Sequence, residues 1–410
     1  MSTISFPDGF LWGTATAAHQ IEGGNVNSDW WAFEHAAGTP CVEPSGDACD
    51  SWHRWPEDLD LVSSFGLGAY RFSVEWCRVE PEPGEWSPAA LDHYRRLAAG
   101  CRDRGLVPVV TMNHFTLPRW LASDGGWEAK GAPQRFARYC ERVIAVLGDL
   151  AGWVCTLNEP NIVAAMGYRF GVFPPGLVDP ARRAAVTAAL VAAHRAGVEA
   201  LRSGPGDPLV GMTLSMTDYQ ALPGGEARME RVRRSMEDVF LEALEGDDFL
   251  GVQTYSRARI GPEGTLGAEA GVPVTQMGYE RWPEAIGATL RRAAEVTASQ
   301  ASASQASASL PLVVTENGIS TEDDSERAAF IEAALASVAG CIADGVDVRG
   351  YFYWSLLDNF EWVLGYGPKF GLVEVDRETF ERKPKASAAL FGSLARANRL
   401  VVAGEQRPGR

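Results

Sequence analysis

Lysine is almost missing from this chain. Of 410 residues only Lys130, Lys369, Lys383 and Lys385 are lysines, so arginine supplies nearly all the positive charge. That scarcity argues against catalysis through a Schiff-base lysine. Cations are outnumbered overall, 37 Lys and Arg against 53 Asp and Glu, giving a formal charge of -16. Nucleic-acid binding needs clustered cations that displace counterions from phosphate, so this class is excluded as a partner. No stretch approaches the ~20 apolar residues that cross a bilayer, so no membrane partner is expected. The N-terminus, Met1 to Gly9, has neither the basic start nor the apolar run of a secretory leader. Paired cysteines are lacking too. Cys41, Cys49, Cys77, Cys101, Cys140, Cys155 and Cys341 are odd in number and scattered, with no Cys-x-x-Cys spacing. An extracellular disulfide framework and a cysteine zinc site are both disfavoured. The expectation is buried, reduced thiols in a cytoplasmic protein.

What the chain does contain is an alternation of short apolar runs and longer helical patterns, with 46% hydrophobic residues to build a core. Strand-like runs cover Gly9–Ala15, Gly68–Glu75, Val107–Asn113, Gly152–Asn158, Leu209–Ser215, Phe249–Tyr255, Leu312–Glu316 and Val348–Ser355. Between them lie helical patterns over Pro56–Phe65, Pro88–Arg104, Pro133–Leu147, Pro180–Arg202, Arg228–Leu244, Pro283–Ala298, Ser325–Ala343 and Ala386–Arg396. Strands that are apolar without alternation suit a parallel sheet covered on both faces. About eight such pairs are what a closed (β/α)8 TIM barrel requires. A doubly wound open sheet is the rival, but no Gly-x-Gly-x-x-Gly turn follows the first strand. No linker interrupts the pattern, so residues 1–410 read as a single α/β domain. The small-residue tract Thr297–Leu310 reads as a flexible surface connection.

In such a barrel the chemistry sits where strands end and βα loops begin. Those ends carry Arg71, Glu75-Trp76, Asn113-His114, Asn158-Glu159, Tyr255, Glu316-Asn317 and Trp354, with Glu361-Trp362 just beyond. A Glu at the end of a buried strand costs several kcal/mol unless it is solvated, paired or used. Two of them, Glu159 and Glu316, each lie beside an Asn. A carboxylate pair across a cleft is the machinery of glycosidic bond cleavage, in which one group protonates the leaving oxygen and the other attacks the anomeric carbon. The bland alternative for either one is a structural ion pair with an arginine such as Arg71.

The motifs are more specific than the pair. Thr156-Leu157-Asn158-Glu159-Pro160 and Thr315-Glu316-Asn317-Gly318 stand with two others. One is the N-terminal run Phe10-Leu11-Trp12-Gly13-Thr14-Ala15-Thr16-Ala17-Ala18-His19-Gln20-Ile21-Glu22-Gly23. The other is the C-terminal run Trp354-Ser355-Leu356-Leu357-Asp358-Asn359-Phe360-Glu361-Trp362, followed by Phe370-Gly371-Leu372-Val373. With these four motifs the chain resembles family 1 of the glycoside hydrolases, the β-glucosidase family, over essentially its whole length. The resemblance implies an exo-acting, retaining enzyme that removes terminal β-D-glycosyl units from a small glycoside or oligosaccharide. Glu316 would be the nucleophile and Glu159 the acid/base. Arg71 and Tyr255 would stabilise Glu316. Gln20, His114, Asn158, Tyr255, Glu361 and Trp362 would contact the sugar, Trp354 would floor the pocket and Phe370 would line its end. No metal or organic cofactor is implied, because both catalytic groups are carboxyls.

Three positions depart from the family pattern. Phe115 stands where relatives carry a Trp. Gln253-Thr254 replaces Asn-Tyr, which is expected to alter hydrogen bonding near Glu159. Cys77 replaces a Ser, read as a packing change. Asn113–Pro118 and Asn158–Asn161 resemble the archaeal-type branch, which accepts glucosides, galactosides, fucosides and some mannosides. Glu361-Trp362 is intact, and its carboxylate would repel a 6-phospho-sugar. The rival readings are a galactoside- or mannoside-preferring member, a transglycosylase working through the same intermediate, a silent sugar-binding barrel and a phosphate-handling isomerase. The last two lack, respectively, a replaced carboxylate and a glycine-rich phosphate cradle.

Overall fold

The computed structural model describes residues 2–304 and 310–402. Eight parallel strands close into a barrel: β1 Leu11–Ala15, β2 Ala69–Ser73, β3 Val107–Asn113, β4 Trp153–Asn158, β5 Leu209–Ser215, β6 Phe249–Gln253, β7 Leu312–Asn317 and β8 Val348–Trp354. They neighbour one another in sequence order, and β8 pairs back onto β1 in the register Gly350↔Leu11 to Trp354↔Ala15. All eight coincide with the apolar runs of the sequence: β3 and β5 match end to end, β7 runs one residue further to Asn317, and the other five are trimmed by one to three residues. The expected (β/α)8 barrel is therefore the fold.

The outer ring follows the same order: α1 Ser51–Ser64, α2 Pro88–Asp103, α3 Ala132–Leu147, α4 Pro180–Arg202, α5 Glu226–Arg233, α6 Ala285–Ser304, α7 Asp324–Ala343 and α8 Ala386–Ala397. Local chemistry fixes several starts. Ser87, Asp179 and Asp323 each accept a backbone N–H of the first turn, and Pro88 and Pro180 occupy the first helical position, where no N–H is needed. The pattern over Arg228–Leu244 is interrupted. After α5 a π-turn at Arg234–Asp238 precedes the short Val239–Leu241 helix.

Two expectations need correction. The Thr297–Leu310 tract is not a connection along its first half, because α6 continues to Ser304. Alanine is the best helix former, and the Thr297 hydroxyl bonds back to the Ala293 carbonyl at 2.9 Å, so low complexity here extends a helix. Residues 305–309 of the tract lie outside the described residues. The second correction is α4, a 23-residue helix that is long and apolar enough, by length and composition, to cross a membrane. Here its apolar side, including Val186, Leu190, Ala193 and Leu201, is buried in the shell around the barrel. It lies close on α3 at Gly197, where a Cβ would come 2.8 Å from the Phe136 ring.

Two apolar layers result. One fills the space between barrel and helices. The other fills the barrel itself, with Val109, Cys155, Phe249, Val313 and Phe352 inside. Gly13 makes room for the last of these, since a Cβ there would stand 2.4 Å from the Phe352 ring. All seven cysteines are free, and six are buried.

Candidate active site

Arg71 is the centre of the site's electrostatics. It projects from β2 with no exposed surface, a position a guanidinium tolerates only with its donors used. Its Nη1 lies 2.5 Å from Glu316 Oε1, its Nη2 lies 2.5 Å from Asn158 Oδ1, and its Nε donates to Thr111 at 3.1 Å. The structural ion pair foreseen for Arg71 therefore exists, and it is made to Glu316. That carboxylate also accepts from the Tyr255 hydroxyl at 2.6 Å and from Gln253 Nε2 at 2.9 Å. Strand register explains the last contact, because Gln253 of β6 pairs with Glu316 of β7. Gln253 also donates to Asn158 Oδ1 at 2.9 Å. The altered position thus acts on Glu316 and Asn158, whereas the sequence suggested Glu159. Thr254 is turned away from this group and shares a hydrogen bond with Thr289.

Glu159 stands differently. It ends β4 and precedes the Pro160–Tyr168 helix, with a left-handed backbone (φ 43) fixed by its N–H donating to the Thr213 carbonyl. It makes no ion pair among the described residues. Burial, then the Glu316 charge, raise its pKa well above the ordinary carboxyl range, against small opposing effects from Ser215 and Arg71. Burial raises Glu316 as well, but Arg71, Tyr255 and Gln253 all oppose it. One carboxyl is surrounded by donors and the other by apolar surface and negative charge. The arrangement favours one shared proton, resting on Glu159.

Around the pair lies a cavity of about 310 Å3. Gln20, His114, Glu159, Tyr255, Glu316, Trp354, Glu361, Trp362 and Phe370 line it, so nine residues singled out from the sequence share one space. Asn158 and Arg71 lie directly behind its wall. Asn158 Oδ1 is used by Arg71, Gln253 and Thr213, which makes its Nδ2 the donor to His114 Nε2 at 3.0 Å. His114 is held neutral by burial and by the Arg71 charge, so its proton must sit on Nδ1. That Nδ1 has no protein partner, and neither has Gln20 Oε1. The indole N–H groups of Trp354 and Trp362 are likewise unspent on the protein among the described residues. Buried polar groups left unpaired in a cavity wall are groups reserved for a ligand. Gln20 Nε2 is occupied by the Phe360 carbonyl (2.8 Å) and reaches Glu361 at 3.4 Å. Burial and the Glu316 charge push Glu361 up to about 8.

Aromatic rings complete the wall. Trp354 stacks near His114 (5.8 Å), and Trp362 packs on His19 (5.5 Å), Trp30 (4.5 Å) and Phe115 (5.0 Å). Phe115 and Trp362, like Glu159, hold positive φ (73 and 52), a costly conformation for residues with side chains. The rest of the wall is largely apolar, with Ile162, Met166, Phe173, Met277, Val363 and Leu364, together with Tyr279. None of these belongs to a recognisable motif, and sequence reasoning missed them. Glu75, named among the strand ends, is not in the cavity. It caps a short helix and accepts from Asn25 and Thr116, each at 2.9 Å. The Cys77 thiol belongs to that buried network, 2.9 Å from Asn25 Oδ1 and 3.1 Å from Glu75, which corrects its reading as simple packing.

Two buried carboxyls of unlike environment, in a cavity with aromatic walls and unspent hydrogen-bonding groups, at the mouth of a (β/α)8 barrel, define a carbohydrate-cleaving enzyme. Comparison with known proteins agrees. Residues 2–247 and 248–400 match glycosyl hydrolase family 1. The chain is similar to thermostable β-glucosidase B of Thermobispora bispora, 34% identical with 97% of this chain and 92% of the other covered. It is also similar to a bifunctional β-D-glucosidase/β-D-fucosidase of Bifidobacterium breve, 33% identical over 94% and 97% of the two chains. Among solved structures, β-glycosidase BGL167 superposes with a TM-score of 0.87 at 47% identity, covering 98% of this chain and all of that one. The chain belongs to glycosyl hydrolase family 1, and it is a retaining β-glycosidase.

Proposed function

We propose that the enzyme hydrolyses terminal β-D-glucosides, and β-D-fucosides alongside them, with Glu316 as nucleophile and Glu159 as acid/base. The observation that carries the assignment is the contrast between the two carboxyls: three donors hold Glu316, and none of comparable strength holds Glu159. In the first step a Glu316 oxygen bonds to the anomeric carbon as the bond to the aglycone oxygen breaks. The Glu159 proton passes to that leaving oxygen. The negative charge of Glu316 is consumed in the ester, so the second-largest influence raising Glu159 disappears and its acidity increases. Glu159, now a carboxylate, takes a proton from water, whose oxygen attacks the anomeric carbon on the face the aglycone left, opposite Glu316, and displaces that carboxylate.

The sugar is held by the groups the protein leaves unused. His114 Nδ1–H and the two indole N–H groups donate to hydroxyls, and Gln20 Oε1 and Glu361 accept from them. Asn158 keeps one N–H for the hydroxyl nearest the reacting carbon. Trp354 gives the C–H face of the ring an aromatic surface. Seven free thiols support a reducing, cytoplasmic setting for this activity.

A pair of variants tests the roles. Glu316→Gly is expected to lose turnover of an aryl β-glucoside and regain it with azide, giving the inverted glycosyl azide. Glu159→Ala is expected to regain it with azide and give the retained product. Unimpaired hydrolysis by Glu316→Gly would sink the assignment.

A further inference from the structure

A second cavity lies beside the catalytic one and is larger, about 430 Å3. It is enclosed by the Asp29–Glu34 helix, the turns that follow β3 and the Pro160–Tyr168 helix. Among the described residues Phe115 is the one wall the two cavities share, so this space is not part of the glycon pocket.

Its walls repeat the chemistry of the first cavity. Trp127 and Tyr168 line it, and each is only 2% exposed. The buried Trp127 indole N–H has no hydrogen-bond partner, and the Tyr168 ring adds a second aromatic wall. An unpaired buried indole N–H is costly unless a ligand or water meets it. Asp29 supplies the acceptor. Its Oδ1 takes the backbone N–H groups of Trp30 and Leu117, both at 2.8 Å, while Oδ2 is left over. Arg119 stands exposed at the rim, and among the described residues its guanidinium has no ion-pair partner. Arg182, the other cation there, is occupied by Glu128 at 2.6 Å.

The charge pattern selects the ligand. Burial pushes the Asp29 carboxyl up to about 7, so near neutral pH it keeps part of its negative charge, which a simple anion would meet, while a simple cation would meet Arg119. A neutral polyhydroxylated ring can donate to the first and accept from the second, and its C–H faces suit the aromatic walls. We propose that this cavity is a second, non-catalytic binding site for a neutral hexose unit, held by Asp29, Arg119, Trp127 and Tyr168.

The test counts sugar sites with D-glucose as probe, followed by calorimetry and by saturation-transfer NMR. The first cavity is closed beforehand with 2-deoxy-2-fluoro-β-D-glucosyl fluoride, whose ester on Glu316 is read as a mass increase. The labelled enzyme is expected to retain one glucose site. Asp29→Asn keeps the oxygen that accepts from Trp30 and Leu117 but turns the free oxygen into a donor, and it should weaken that site roughly tenfold. Ala122→Trp, which fills the cavity from the Arg119–Ser123 helix, should abolish it while aryl-glucoside hydrolysis continues in the unlabelled variant.

Labelled enzyme that binds no glucose overturns the proposal, as does a retained site that neither substitution disturbs. Binding of 4-nitrophenol but not glucose also overturns it, because the cavity would then be an apolar one. Failure of the label to attach would instead count against Glu316 as nucleophile. In that event the comparison of unlabelled wild type with Ala122→Trp, two sites against one, still decides the second cavity.

Discussion

Replacing Gln253 by Met removes an N–H from the nucleophile's surroundings while keeping the length and volume of the side chain. The lost contact is the 2.9 Å bond from Nε2 to Glu316 Oε1. A hydrogen bond to a charged group is worth ~1.5–3 kcal/mol, more than its neutral counterpart. The simultaneous loss at Asn158 weighs less, since Arg71 and Thr213 continue to donate to that oxygen. At 1.36 kcal/mol per decade, kcat/KM for an aryl β-glucoside should fall roughly ten- to a hundredfold near neutral pH. The pH profile carries the sharper information. Gln253 stabilises ionised Glu316, so without it the carboxyl holds its proton to higher pH and the acid limb of kcat/KM moves upward. The alkaline limb, which reports loss of the Glu159 proton, should stay in place. The assay is a set of kcat/KM values across the pH range for wild type and variant, with Gln253→Asn as a partial restoration. Movement of the alkaline limb alone would mean that Gln253 acts on Glu159, as the sequence first suggested. An unchanged profile with activity within a few-fold of wild type would mean that Arg71 and Tyr255 suffice.

Other outcomes follow from burial and packing. Because folding raises the Glu159 pKa, the carboxyl costs nothing below its unfolded value of ~4.3 and destabilises the fold as pH climbs towards the folded value. Glu159→Gln should therefore raise the Tm, by little at about pH 5 and by more at about pH 8, and an equal gain at both would refute the burial argument. Gly13→Ala places a methyl 2.4 Å from Phe352 inside the barrel and should cost ~1–3 kcal/mol of stability by denaturant titration, with KM unaltered in the folded fraction.

The barrel was legible because each strand is an unbroken apolar run flanked by a helical pattern, the form that burial on two faces imposes. Val107–Asn113 and Leu209–Ser215 needed no adjustment. The Ala/Ser tract near residue 300 misled because small residues serve linkers and helices alike, and only the tertiary setting separates the two uses. In the site, Glu159, Glu316 and their partners could be read from contiguous motifs at strand ends. The Gln253 contact could not, since it depends on how β6 pairs with β7. A usable signal was present, however. Period-two alternation puts Gln253 on the face of Tyr255 and sends Thr254 to the helix side, where Thr289 meets it. The apolar part of the wall was illegible for a different reason. Ile162, Met166, Phe173, Met277 and Tyr279 come from separate segments whose meeting is decided by loop conformation.

The left-handed backbone at Phe115, Glu159 and Trp362 bears on how this scaffold can be hardened. Each such residue costs ~1–3 kcal/mol, against a net stability of ~5–15 kcal/mol for a typical domain. Three of them in one cavity represent a standing debt that evolution cannot retire locally, because glycine at any of the three would delete a catalytic acid or a wall of the pocket. Heat resistance must then be recruited from parts of the chain that never meet the sugar, such as helix caps, surface charges and connections on the opposite end of the barrel. Selection for stability and selection for catalysis thus act on separate ends of the same molecule.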